Sequence, residues 1–120
     1  MDVEPDARFE MRLHAPTADV VVVRVSGVVD TTSVALLAER AGQQLTRAPH
    51  VVIHLGDVTF LSARGLAVLG ALQAKAELCG TRMHLAVEHH AVLRPLHIAG
   101  LDRLLPITRS AEAAVAAVHR

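Results

Sequence analysis

Ser62, Ala63 and Arg64 stand in the run from Val58 to Leu69, where an extended apolar stretch turns at small and polar residues into an apolar helical pattern. The first N–H groups of a helix have no partner inside it, so a side-chain oxygen, a phosphate or another anion placed there is stabilised. Such a junction suits ligand binding or phosphorylation of a hydroxyl. Ser62 reads first as the N-cap of the helix that follows. Arg64 is a cation in a first helical turn, where it opposes the helix dipole; it is either simply solvated or bound to something acidic. A second cluster of similar character, Asp30-Thr31-Thr32-Ser33, precedes another helical pattern. There the Asp30 carboxylate either caps the helix, a contribution of about 1 kcal/mol, or helps to form a partner-binding patch.

Other chemistry is poorly supported. Eight histidines invite a metal site, with His89 and His90 joined by His54 or His84. Adjacent side chains such as His89 and His90 point apart in a strand or a helix, and no i, i+4 histidine-glutamate motif occurs. Ser62 lacks the glycine frame of a nucleophile elbow. Cys79 falls on the apolar side of a helix near its C-terminus, where a thiolate is disfavoured. The glycines match neither a phosphate loop nor a dinucleotide fingerprint. Asp30 and Asp57 are the only carboxylates near the candidate patch. No set of catalytic roles can be assembled from these groups, so the chain is expected to be a binding protein without a catalytic residue, cofactor or metal.

The elements that position these residues follow from periodicity. Phe9, Met11 and Leu13 alternate with polar neighbours and predict a half-buried edge strand, broken at Ala15-Pro16-Thr17. Val20 to Val25 is a β-branched run suited to a strand buried on both faces, ended or bent at Ser26-Gly27. Val34, Leu37, Ala41 and Leu45 recur at helical spacing. Val51 to Leu55 is the next buried strand, and Asp57 and Thr59 lead into the junction. From Gly65, Leu66, Leu69, Gln73 and Ala76 line a helix face widened by Val68, Leu72 and Cys79, with Gly80 as C-cap. A short strand spans Met83 to Val87. A weaker helix runs from about Ala91 to Ala99, with Pro95 in a first turn. Leu104 to Thr108 is a last extended segment, and Ser110 caps a terminal helix packed through Ala111, Val115 and Val118. The order ββαβαβαβα predicts a single α/β domain with a mixed, mostly parallel sheet of four to five strands and about four helices packed against it. Ligands of such sheets sit where strand carboxyl ends meet helix starts, so the Asp30 and Ser62 clusters should share a surface.

Composition narrows the partners. The 120 residues form one domain, residues 9–120, after a flexible N-terminus, residues 1–8. Twelve basic and twelve acidic residues cancel, which argues against nucleic acid as a partner. The single cysteine cannot form an internal disulfide, the first residues lack a signal-peptide pattern, and no apolar run would insert in a membrane. A cytoplasmic location is expected. The only aromatics are Phe9 and Phe60, so the core must be aliphatic and stacking surfaces are scarce.

Three ordered segments resemble the STAS domain of bacterial anti-sigma factor antagonists, over about Phe9 to Val118. Val25-Ser26-Gly27-Val28-Val29-Asp30 is similar to the family segment Leu-x-Gly-Glu-Leu/Ile-Asp, with Val28 in place of Glu. Val58 to Leu66 resembles the hallmark Val-x-Phe-hydrophobic-Asp-Ser-Ser/Ala-Gly-Leu, and His97 to Ile107 resembles the segment that closes the fold. The resemblance implies a non-enzymatic regulator that binds an anti-sigma factor of the serine-kinase type by partner switching, with phosphorylation of a serine breaking the complex. A phosphate brings about −1.5 to −2 charges to an interface built for a hydroxyl. It also implies a partner-binding patch of Asp30, Thr31, Thr32, Ser62, Ala63 and Arg64, and leaves room for a homodimer. The alternative role in this family is an adaptor subunit of an ABC or anion transport complex in the membrane. Aligned on Phe60 and Gly65, the family's Asp falls on Ser62 and its acceptor serine on Ala63, which cannot take phosphate. Ser62 is a displaced candidate, turned by about 100° from the usual position. Altered or absent phosphorylation control is therefore expected.

Overall fold

The computed structural model describes residues 9–119; residues 1–8, expected to be a flexible N-terminus, lie outside the described residues. Five strands and four helices follow the anticipated order: β1 Glu10–Thr17, β2 Val20–Val29, α1 Val34–Gln44, β3 His50–Leu61, α2 Ala63–Cys79, β4 Arg82–Ala86, α3 His90–Ile98, β5 Ile107–Thr108 and α4 Ala111–Val118. A single turn of 3-10 helix, Leu101–Arg103, connects α3 to β5. The strands lie side by side in chain order. β1 pairs antiparallel with β2, and every later pair is parallel.

That order places the helices. Each parallel step from β2 to β5 crosses over through one helix with the same hand, so α1, α2 and α3 stack on one face. Val23, Val25, Val51, Ile53, Leu55, Met83 and Leu85 are buried there with Leu37, Leu69 and Leu96 from the helices. The alternate residues Val20, Val22, Val52 and Ala86 point to the other face, where α4 covers them with Ala114 and the stripe of Ala111, Val115 and Val118. α4 spans eight residues and leaves part of this face open around Arg24, whose guanidinium meets the Asp57 carboxylate at 3.2 Å.

Several boundaries differ from those the sequence predicts. β1 continues through Ala15 and Pro16 to Thr17, because an edge strand tolerates Pro at a register irregularity, here between His14 and Thr17. Leu13 is exposed rather than half-buried. β2 bends but does not end at Ser26-Gly27: Gly27 has φ +88 and the register shifts on both sides of it. β3 runs on to Leu61. The predicted last strand shrinks to two residues. Pro95 is the sixth residue of α3, not a first-turn residue, and it removes the donor that would pair with the Ala91 carbonyl. Cys79 is exposed, although Ala76 in the same last turn of α2 is buried.

The α4 face also holds an imidazole pair. His50 Nδ1 and His84 Nε2 are 3.3 Å apart, and His84 is 5% exposed. With the shared proton on His84 Nε2, its Nδ1 is a bare lone pair that has no partner among the described residues. A second proton there would be a buried N–H without an acceptor. Burial first, then His50 and Arg82, hold the His84 pKa below its usual value; burial and Arg24 do the same for His54. Since the folded values lie below the unfolded value of about 6.5, this stabilisation is complete above that pH and is lost as pH falls through the folded values. Urea unfolding is expected to show stability dropping between neutral pH and pH 5 or so, and a His54→Gln, His84→Gln double variant should flatten that slope.

Candidate protein-docking site

β2 and β3 end at the same level because Val28 stands opposite Phe60 and Val29 opposite Leu61. The chain then leaves both strands together. The Ser62 N–H donates to the Val29 carbonyl at 2.9 Å, which ties the start of α2 to the residue before Asp30. The two clusters singled out in the sequence thus form one surface.

Within it, Ser62 is extended (φ −75, ψ 168) and its Oγ accepts from the Gly65 N–H at 3.0 Å, so the hydroxyl is the N-cap of α2. Ala63 and Arg64 are exposed in the first turn that follows. Arg64 makes no ion pair among the described residues. Gly65 is buried because the helix start lies directly on the strands. A Cβ there would sit 2.6 Å from Leu61 Cδ1 and 3.0 Å from Val29 Cγ1.

Asp30 plays a different local role from a cap. Its carboxylate accepts from the Thr32 N–H at 2.9 Å and from the Thr32 hydroxyl at 2.7 Å, an Asx turn that closes the loop on itself. The N-cap position of α1 belongs to Ser33, whose hydroxyl accepts from the Asp30 N–H and donates to the Val28 carbonyl, both at 3.0 Å, instead of serving the helix. The Thr32 hydroxyl, then its N–H, hold the Asp30 carboxyl below its ordinary pKa, so the loop carries a fixed negative charge. Thr31 and Thr32 are exposed beside it. Asp57 is drawn away to Arg24 on the open sheet face. His89 and His90 begin α3, and among the described residues no three metal-binding side chains come together.

A model of the STAS domain matches residues 13–114. The chain belongs to the STAS domain family. No curated protein matches it significantly. Among solved structures, an anti-sigma factor antagonist from Mycobacterium paratuberculosis is 29% identical with 98% of each chain covered and a TM-score of 0.87. A putative anti-sigma factor antagonist from Thermotoga maritima is 20% identical, covering 93% of this chain and 95% of its own, with a TM-score of 0.77. The Bacillus cell-fate determinant SpoIIAA in its phosphorylated form is 16% identical, covering 91% and 99%, with a TM-score of 0.71. The STAS fold, the five-stranded mixed sheet and the four helices agree with the expectation from sequence.

Sequence reasoning missed Phe60, which is 53% exposed beside Val28. Period two puts Phe60 on the same face as buried Val58, but Thr59 is an extra residue in the ladder and turns Phe60 to the opposite face. It also missed Arg94 and Ile98 on the outer side of α3. A signal was present in the sequence: Ile98 stands outside the i, i+4 pair of Val92 and Leu96 that α3 buries.

The junction's packing is testable by stability. Val29 and Leu61 are both buried, and Val29 is stiff at χ1, so Gly65→Ala is expected to destabilise by about 1–3 kcal/mol. Gly70→Ala, whose Cβ meets only Leu101 Cδ2 at 3.9 Å, should be neutral or stabilising by up to ~1 kcal/mol on helix propensity. Ser62→Ala should cost about 1 kcal/mol through the lost cap. Chemical denaturation of the three variants checks all of these.

Proposed function

We propose that this STAS domain is an anti-sigma factor antagonist-like regulatory binding protein, and that Asp30, Thr31, Thr32, Ser62, Ala63 and Arg64 form its partner-binding patch. The partner is an anti-sigma factor of the serine-kinase type, engaged by partner switching. The observation that carries this reading is the joint between Val29 and Ser62, which assembles those six residues on one surface of a chain similar end to end to an antagonist. The surface offers hydroxyls, one fixed carboxylate and one unpaired guanidinium, with no group arranged for bond-making chemistry. It suits recognition rather than catalysis.

Control by phosphate is altered or absent in this proposal. The Bacillus relative exists in a phosphorylated form. Where the sequence resemblance puts the acceptor serine, this chain has Ala63, exposed at the first residue of α2 and without a hydroxyl. Ser62 is the neighbouring hydroxyl, but it is half-buried and occupied with the Gly65 N–H. A kinase would have to break that cap to reach it. Arg64 adds a permanent positive charge where the switch mechanism delivers a negative one.

Two measurements test the proposal. Co-purification with candidate anti-sigma factor kinases is expected to yield a complex that Arg64→Glu weakens; unchanged affinity would remove Arg64 from the interface, and no complex with any candidate would reject the reading. Phosphate mapping after incubation with the kinase and ATP is expected to find none on the native chain and phosphate on Ala63→Ser. Phosphate on Ser62 of the native chain would instead restore an ordinary switch.

A further inference from the structure

A groove opens beside the patch. Leu66, whose N–H donates to the Ser62 carbonyl at 3.0 Å, forms one wall from α2, and Ala91, Pro95 and Ile98 form the other from α3. Its volume is about 450 Å³, and Ile98 is 75% exposed. An isoleucine left in water next to other apolar groups marks an unpartnered surface.

The formal charge around the groove is positive and comes from Arg94. Arg94 and His90 line it, and no acidic side chain does. Each of the other surface depressions described contains a carboxylate: Glu10 and Asp57 on the open sheet face, Asp102 below α3, and Glu77 near the end of α2. A second copy of this chain is a poor occupant, because a two-fold contact would set Arg94 against itself. Nucleic acid fits badly too, since the walls are aliphatic and lack a stacking platform.

We infer that the groove between α2 and α3 receives an amphipathic segment of a protein partner, an aliphatic anchor seated on Leu66, Pro95 and Ile98 with Asp or Glu beside it facing Arg94. This rests on the reading of the chain as a protein-binding STAS domain and deepens it by naming the chemistry of what docks. The anchor supplies affinity by burying Ile98, and the carboxylate fixes register against a guanidinium that stays charged at every physiological pH.

The test uses the intact, isotope-labelled protein and two synthetic amphipathic peptides of about 16 residues, four to five helical turns. Both carry the same leucine face; one has Glu and the other Lys on its polar face. The Glu peptide is expected to perturb the amides of Leu66 and residues 90–99, and to bind at least about tenfold more tightly than the Lys peptide. Arg94→Glu should reverse that preference, and Ile98→Ser should weaken both peptides; both side chains are exposed, so the fold should tolerate the changes, as a thermal melt will confirm. Equal binding of the two peptides, no binding, perturbations elsewhere, or an unreversed preference in Arg94→Glu would each overturn the inference. Capture of an anti-sigma factor kinase separates it from the broader reading. Loss of capture on Arg64→Glu with full retention on Arg94→Glu rejects the groove alone. Selective Glu-peptide binding without capture of any such kinase rejects that class of partner alone.

Discussion

The register of β2 on β3 is the constraint on which the rest depends. Two parallel strands of ten and twelve residues stop together only because β3 absorbs its extra length in irregularities, between the partners of Arg24 and Ser26 and again between those of Gly27 and Val28. Gly27 takes the positive φ that one of them needs. Without that adjustment Leu61 would overshoot Val29, the Ser62 N–H would lose its carbonyl, and the helix start would not reach the Asp30 loop. A backbone feature thus decides which side chains share a surface. The chemistry of the surface is secondary to it.

The same register explains the tight fit of α2. Once Ser62 is joined to Val29, the first turn of the helix must lie against Leu61 and Val29, and a Cβ at position 65 would force one of them to shift. The cap at Ser62 and the glycine three residues on then work as a pair: one satisfies an orphan N–H, the other provides that N–H at close approach. Polar groups on the opposite face meet a different constraint. His84 is buried and His54 half-buried on that face, and both are held there below their usual pKa, chiefly by burial.

How far this was legible in the sequence depended on whether local pattern or tertiary contact decided the outcome. The element order followed from the β-branched run of Val20 to Val25 and from the three-four spacing of Leu37, Ala41 and Leu45, because burial is written directly into those patterns. Gly80 and Ser110 were readable as caps for a similar reason. Strand ends were not, since β2 and β3 continue past Gly27 and Gly56 only by virtue of each other's ladder. The exposure of Phe60 depends on one extra residue in the ladder, a bulge that no single strand reveals. Cys79 follows the helical pattern of its neighbours, but it is exposed where Ala76 in the same turn is buried. At Asp30 two local hydrogen-bonding options competed, and the nearer one, to Thr32, won over the helix.

An alanine at position 63 leaves the structure of the junction intact. The fold uses nothing of a hydroxyl at this position: the cap is on Ser62, the close contact is on Gly65, and Ala63 projects outward. Selection on stability therefore leaves position 63 free, and only the demands of regulation can hold a serine there. In the reading proposed above, that demand is relaxed while the apolar and cationic features around it, Ile98, Arg64 and Arg94, stay exposed. A surface that keeps its docking features and drops its covalent switch must be controlled by how much partner is present. In that reading affinity, set by anchors and charges, takes over the role that phosphate has in a covalent switch.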